Sequence, residues 1–162
     1  MRPQDLDAEC RRLENQIKII KKSFRDTPEE IISLSCQAVC VAICGSLEQN
    51  LKRIFVEYAR QRSGGQIHRP IERLCDNYQN PKSSKVLELV KLFDRDFGKE
   101  LGHLWDGEKE VEKSRLDNLV GDRIAIAHSR QRHVNVSVGK LENYHQAHSA
   151  LVNRIYDHFL GS

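Results

Sequence analysis

At 162 residues the chain has the length of one domain, and 39% hydrophobic with 30% charged residues is the balance of a soluble globular protein, not of a disordered tail or a membrane bundle. A formal net charge of +3 permits contact with nucleic acid but does not demand it, because a domain that neutralises many phosphates is usually more basic.

Leu6, Cys10, Leu13, Ile17, Ile20 and Phe24 recur every three or four residues and line one face of a first helix within residues 1–26, either as core or as a seam joining two protomers. Thr27-Pro28-Glu29-Glu30 supplies an N-cap, a proline for the first turn and a capping-box glutamate, so a second helix starts there and opens a core of helices over 27–160. Its apolar positions Ile31, Leu34, Cys36, Val39, Cys40, Ile43, Cys44, Leu47, Leu51, Ile54, Phe55 and Tyr58 continue unbroken to Ser63-Gly64-Gly65. A short helix opens near Pro70 and stops at Asn80-Pro81, since the residue before proline is pushed out of the α region. Val86, Leu89, Val90, Phe93 and Phe97 mark one further helical face. The pattern loosens around Gly98, Gly102 and Gly107, which places Trp105 on a short turn. Leu116, Leu119, Val120, Ile124 and Ala127 form another helix ending near His128-Ser129. Ser137 caps a last one with the face Leu141, Tyr144, His145, His148, Leu151, Val152, Ile155 and Phe159. Val134, Val136 and Val138 alternate too briefly for a strand, so the expected class is all-α, a single domain with no internal repeat.

The longest apolar run, Ala38 to Cys44, is far short of the ~20 residues of a membrane span, and Met1-Arg2-Pro3-Gln4-Asp5 is too polar for a signal peptide, so a cytoplasmic location with no membrane partner is expected. Of the five cysteines, Cys36, Cys40 and Cys44 repeat every four residues inside an apolar helix and read as buried, reduced thiols. His145 and His148 share a helix face, but no nearby thiolate or carboxylate completes a zinc set, and no metal or cofactor is called for. Lys18, Lys21, Lys22 and Arg25 give the first helix a basic end, read as a solvated face.

Arg123-Ile124-Ala125-Ile126-Ala127-His128 joins a permanent cation to the side chain that titrates near neutrality. Such a pair suits phosphodiester chemistry: imidazole can take a proton from a ribose 2′-hydroxyl or return one to a leaving 5′-oxygen, and guanidinium steadies charge on the phosphoryl oxygens. With 15 arginines and 7 histidines the bare spacing is expected about 0.65 times by chance, so the surroundings matter more than the spacing. Arg62 and His68 come close to the same spacing but straddle Gly64-Gly65 without an apolar face. Residues five apart on a helix diverge by about 140°, so one helix does not readily aim both at one phosphate, and a second protomer would complete the site. Taken alone, Arg123 and His128 could also simply cap a helix C-terminus.

The stretch Leu116-Asp117-Asn118-Leu119-Val120-Gly121-Asp122-Arg123-Ile124-Ala125-Ile126-Ala127-His128-Ser129 resembles the signature helix of the HEPN family (higher eukaryotes and prokaryotes nucleotide-binding), in particular its bacterial RiboL-PSP-like ribonucleases and toxins. The long second helix with Cys44-Gly45-Ser46-Leu47-Glu48-Gln49-Asn50-Leu51 and the amphipathic last helix extend the resemblance over most of residues 28–160. The resemblance implies a helical bundle with two long antiparallel helices and shorter ones. It further implies a homodimer whose paired motifs face one cleft, and a metal-independent endoribonuclease acting as a prokaryotic toxin or antiviral-defence effector, restrained by an antitoxin or other partner protein. Arg123 and His128 are then the catalytic residues, with Glu48 at a position that sometimes supports the site. Asp122, beside Arg123, is a candidate to orient the guanidinium, and Arg130, Arg132 and His133 in the next loop are candidates to hold the RNA backbone. Ile124 and Ser129 depart from the polar residue and the glycine that many active members carry there. The alternative is therefore a non-catalytic HEPN dimer that binds RNA, a nucleotide or a protein partner.

Overall fold

The computed structural model describes residues 3–63, 67–128 and 134–161 as seven α-helices, with no strand among the described residues. They are α1 (Pro3–Ser23), α2 (Glu29–Ser63), α3 (His68–Asp76), α4 (Ser83–Phe93), α5 (Arg95–Asp106), α6 (Glu110–His128) and α7 (Val138–Leu160). The all-α expectation is met.

α2 is the axle of the bundle and packs against α1, α3, α6 and α7. Leu6, Leu13, Ile17 and Ile20 of α1 are buried within this chain, so that row is intramolecular core; Phe24 lies beyond the helix and is exposed. The two longest helices, α2 and α7, run parallel, not antiparallel: Ser46 meets His148 at one level and Phe55 meets Phe159 further along both. α1 runs antiparallel to α7 through Cys10–Ser149 and Lys21–Glu142, and α6 does so through Glu112–Arg154 and Asp122–Tyr144, so both are also antiparallel to α2. Phe55, Tyr58, Phe93, Phe97 and Phe159 close one end of the core with edge-on and stacked ring contacts.

Local chemistry moves several boundaries. The carbonyl of Pro28, not of Thr27, receives the first α2 bond, from the Ile32 amide at 3.1 Å. Ile31 and Leu34 face outward while Ile32 and Cys36 are buried. α3 ends at Asp76, four residues before Asn80, and Asn80 takes a φ of 53°, a left-handed conformation that asparagine tolerates. The single face expected from Val86 to Phe97 is split at Asp94, which ends α4 and caps α5 by accepting from the Asp96 and Phe97 amides at 3.0 Å each.

Trp105 is on a helix, not a turn. It lies fully buried on α5, which also contains Gly98 and Gly102. Gly98 permits the close approach of α4: a Cβ there would stand 2.4 Å from Lys91 Cγ and 3.3 Å from Lys91 Cα. Gly98→Ala is therefore expected to lose about 1 kcal/mol in urea unfolding despite alanine's better helix propensity, because the two helices must part.

By length and composition α2 is the one described helix that could cross a membrane; 44% of the qualifying stretch is buried against the other helices. That burial accounts for part of its apolar character, since it is the core helix of this bundle. Its outward face over residues 31–47 is also free of charged side chains.

Candidate functional site

Arg123 and His128 stand on the last two turns of α6, and His128 is its final residue. Leu116, Leu119 and Val120 of that helix are fully buried. Arg123, one heptad beyond Leu116, prolongs the same face toward α2 and is half-buried, whereas His128 is exposed. The Arg123 charge is felt at Cys44 of α2. Burial pushes that thiol up to about 12, Glu48 adds to the rise, and Arg123 opposes it. Guanidinium and carboxylate thus lie close to one thiol, although they come from different helices.

Glu48 is held in place. Its Oε1 accepts the Asn80 amide at 2.7 Å, a bond made possible by the left-handed turn at Asn80. Next to that turn the Asp117 carboxylate of α6 accepts from the Ser83 amide at 2.7 Å and from its hydroxyl at 2.8 Å, capping α4 from a neighbouring helix. These bonds fix the α6 register against α2.

Asp122 does something other than orient Arg123. The Tyr144 hydroxyl donates to Asp122 Oδ2 at 2.6 Å and the Lys140 ammonium does so at 3.2 Å, which ties α6 to the start of α7. Burial and this bond to a carboxylate together raise the Tyr144 hydroxyl well above its usual range, so it stays a proton donor. Neither Arg123 nor His128 has a hydrogen-bond or ion-pair partner among the described residues. The candidate RNA contacts Arg130, Arg132 and His133 lie outside the described residues. A groove of about 510 Å³ lined by Phe24, Ile32, Cys36, Val136 and Val138 lies at the start of α2 and includes neither Arg123 nor His128.

No family model, curated protein or solved structure matches this chain.

The other singled-out side chains belong to the core. Cys36, Cys40, Cys44 and Cys75 are buried, and burial raises all four thiols, Cys40 to about 12 and Cys75 to about 11, so they are held protonated and unreactive. Among the described residues no group of three or more histidine, cysteine or acidic side chains could hold a metal ion, and His145 and His148 serve elsewhere. The His145 Nε2 lies 3.0 Å from the Cys10 carbonyl oxygen, and the His148 Nε2 lies 3.2 Å from Ser46 Oγ, which accepts from the side-chain Nδ2 of Asn50.

Sequence reading missed this buried Ser46–Asn50–His148 cluster, although Ser46 and Asn50, four apart among the buried positions of α2, give the signal for it. It also missed Glu112, a buried carboxylate that accepts from Trp105 Nε1 at 3.0 Å and from both Arg154 terminal nitrogens at 2.5 and 3.1 Å.

His148 has a pH consequence. Burial, and then the neighbouring His145, lower it from 6.5 to about 4. The unfolded chain therefore binds a proton that the folded chain refuses between those values. The stability tied to a neutral His148 is complete above about pH 6.5 and is lost as pH falls toward 4, at a cost of roughly 3 kcal/mol. Urea midpoints at pH 7 and pH 4.5 should differ less in His148→Gln than in the natural protein; an unchanged difference would show that His148 does not set it.

Proposed function

We propose that this protein is a metal-independent endoribonuclease of the HEPN type, with Arg123 and His128 as its catalytic pair. The observation that supports this reading most is that a half-buried guanidinium, whose charge together with that of Glu48 acts on Cys44, and an exposed imidazole at the end of the same helix have no hydrogen-bond or ion-pair partner among the described residues. The polar groups around them, Asp117, Asp122, Lys140 and Tyr144, are committed to holding helices together.

In the proposed reaction His128 accepts the proton of a ribose 2′-hydroxyl. The 2′-oxygen forms a bond to the adjacent phosphorus while the bond from phosphorus to the 5′-oxygen breaks. That oxygen leaves with a proton supplied by a second imidazole, and the products are a 2′,3′-cyclic phosphate and a 5′-hydroxyl. Arg123 holds the phosphate and neutralises charge on its non-bridging oxygens. The divergence of residues 123 and 128 by about 140° around α6 is the reason for a homodimer, in which each copy supplies what the other lacks. A nuclease of this kind fits a toxin or antiviral-defence effector restrained by a partner protein.

The same divergence favours a second reading, a non-catalytic dimer that grips RNA through Arg123. Incubating end-labelled RNA with the purified protein in excess EDTA separates the two. Cleavage by the natural protein and not by Arg123→Ala or His128→Ala supports the enzyme. Binding without cleavage supports the second reading.

A further inference from the structure

The groove at the start of α2, about 510 Å³ in volume, is separate from Arg123 and His128. Clefts that take a small organic molecule typically measure about 300–1,000 Å³. The floor is apolar: Ile32, Cys36, Val136 and Val138 are buried, and Phe24 stands at the edge, 57% exposed. The wall opposite α2 is fixed by bonds of its own. Gln37 Nε2 donates to the Val134 carbonyl at 3.0 Å, Lys140 Nζ donates to the Asn135 carbonyl at 3.2 Å, and the Ser137 hydroxyl caps α7. Residues 134–138 are thereby held against α2, so little ordering is needed on binding.

The charged side chains lining the groove are Glu29 and Glu30, and no basic side chain lines it among the described residues. Both carboxylates are exposed, and neither has a hydrogen-bond or ion-pair partner among the described residues. The positive end of the α2 dipole offsets roughly half a unit of their charge, so the mouth stays negative above an apolar floor. That combination is the complement of an organic cation with an apolar body. A phosphodiester would be repelled there, so the groove does not continue the proposed RNA path.

We propose that this groove binds a small amphipathic cation, a primary or substituted ammonium carrying an alkyl or aryl chain. The ammonium sits beside Glu29 and Glu30, and the chain lies along Phe24, Ile32, Val136 and Val138. Burial of the chain supplies most of the affinity, and the two carboxylates select the sign of the charge. The site rests on the groove alone and stands whether or not the protein cleaves RNA.

Titrating the full chain at pH 7 with hexylamine, hexanoate and 1-hexanol, followed by methyl NMR, tests the site. Hexylamine should shift the methyls of Ile32, Val136 and Val138 saturably and bind about tenfold more tightly than hexanoate. Butylamine should bind about tenfold more weakly than hexylamine, since each buried methylene is worth about fourfold in affinity. Replacing both carboxylates, Glu29→Gln with Glu30→Gln, should weaken hexylamine about fivefold or more and leave the response to 1-hexanol unchanged. Its Tm is read alongside, because the carboxylates also steady the helix end; the comparisons of charge and chain length need no variant. Hexanoate as tight as hexylamine, shifts that do not saturate, or an affinity indifferent to the two carboxylates overturns the proposal. A short peptide with phenylalanine between two lysines that binds far more tightly than hexylamine assigns the groove to a protein segment and overturns it as well.

Discussion

His128→Ala is expected to slow RNA cleavage by 10²- to 10⁴-fold, the range of a positioned general acid or base, while leaving the fold intact. The structural half of this expectation follows from its place: His128 is the exposed last residue of α6 and bonds to no other described residue, so its loss removes no packing. Arg123→Ala should match it in activity but differ in binding, because the guanidinium holds the phosphate in the ground state as well as in the transition state. Arg123→Lys should rescue only part of the loss, since an ammonium keeps the charge but not the planar fork that spans two phosphoryl oxygens. Initial rates and RNA affinities of the three variants check these expectations together, with far-UV circular dichroism to confirm that each is folded. A His128→Ala protein as active as the natural one would remove that residue from the mechanism.

Glu112→Ala should cost about 3 kcal/mol of stability, or roughly 10 °C in Tm for a domain of this size. Glu112 is 9% exposed and is the shared acceptor of Trp105 and Arg154, so its removal strands an indole N–H and a guanidinium in the space between α5, α6 and α7. Arg154 retains 25% exposure, and water reaching it keeps the cost below that of a wholly buried pair. Glu112→Gln should cost less, because the amide oxygen can still accept from Trp105. Replacing Glu112 and Arg154 together by leucine should recover most of the loss, which would show that the pair sets the geometry of the three helices more than their stability. Urea unfolding at pH 7 checks all three; an alanine variant within 1 kcal/mol of the natural protein would mean that the cluster is solvated.

The fold was legible in the sequence wherever a local signal coincided with the end of an apolar pattern. α2 begins at Glu29, directly after Pro28, whose carbonyl accepts its first bond, and Ser137 caps α7 through its own hydroxyl, 3.2 Å from the Lys140 amide. Where the deciding contact is remote, local reading failed. Three glycines suggested a turn around Trp105, but Gly98 is small for the sake of Lys91 on another helix. Asp94 breaks the α4–α5 face with a side-chain cap that contains no glycine or proline to announce it.

The candidate site divides in the same way. That Arg123 and His128 share one helix end is a matter of spacing and was readable. That Arg123 and Glu48 both act on the Cys44 thiol depends on packing between residues 75 apart along the chain, and only the family resemblance pointed to Glu48. Asp122 was misjudged because sequence proximity to Arg123 says nothing of Tyr144, its actual partner on α7. Glu112 went unnoticed because a charged residue is ordinarily solvated, and its partner Arg154 is 42 residues distant.

The chemical ends of the RNA products test the central claim most directly. Single-turnover cleavage by the purified protein in excess EDTA, with the products resolved before and after treatment that opens cyclic phosphates, should show 2′,3′-cyclic phosphate and 5′-hydroxyl termini that vanish in His128→Ala. Products bearing 5′-phosphate, or the same cyclic ends at the same rate from His128→Ala, would contradict the account.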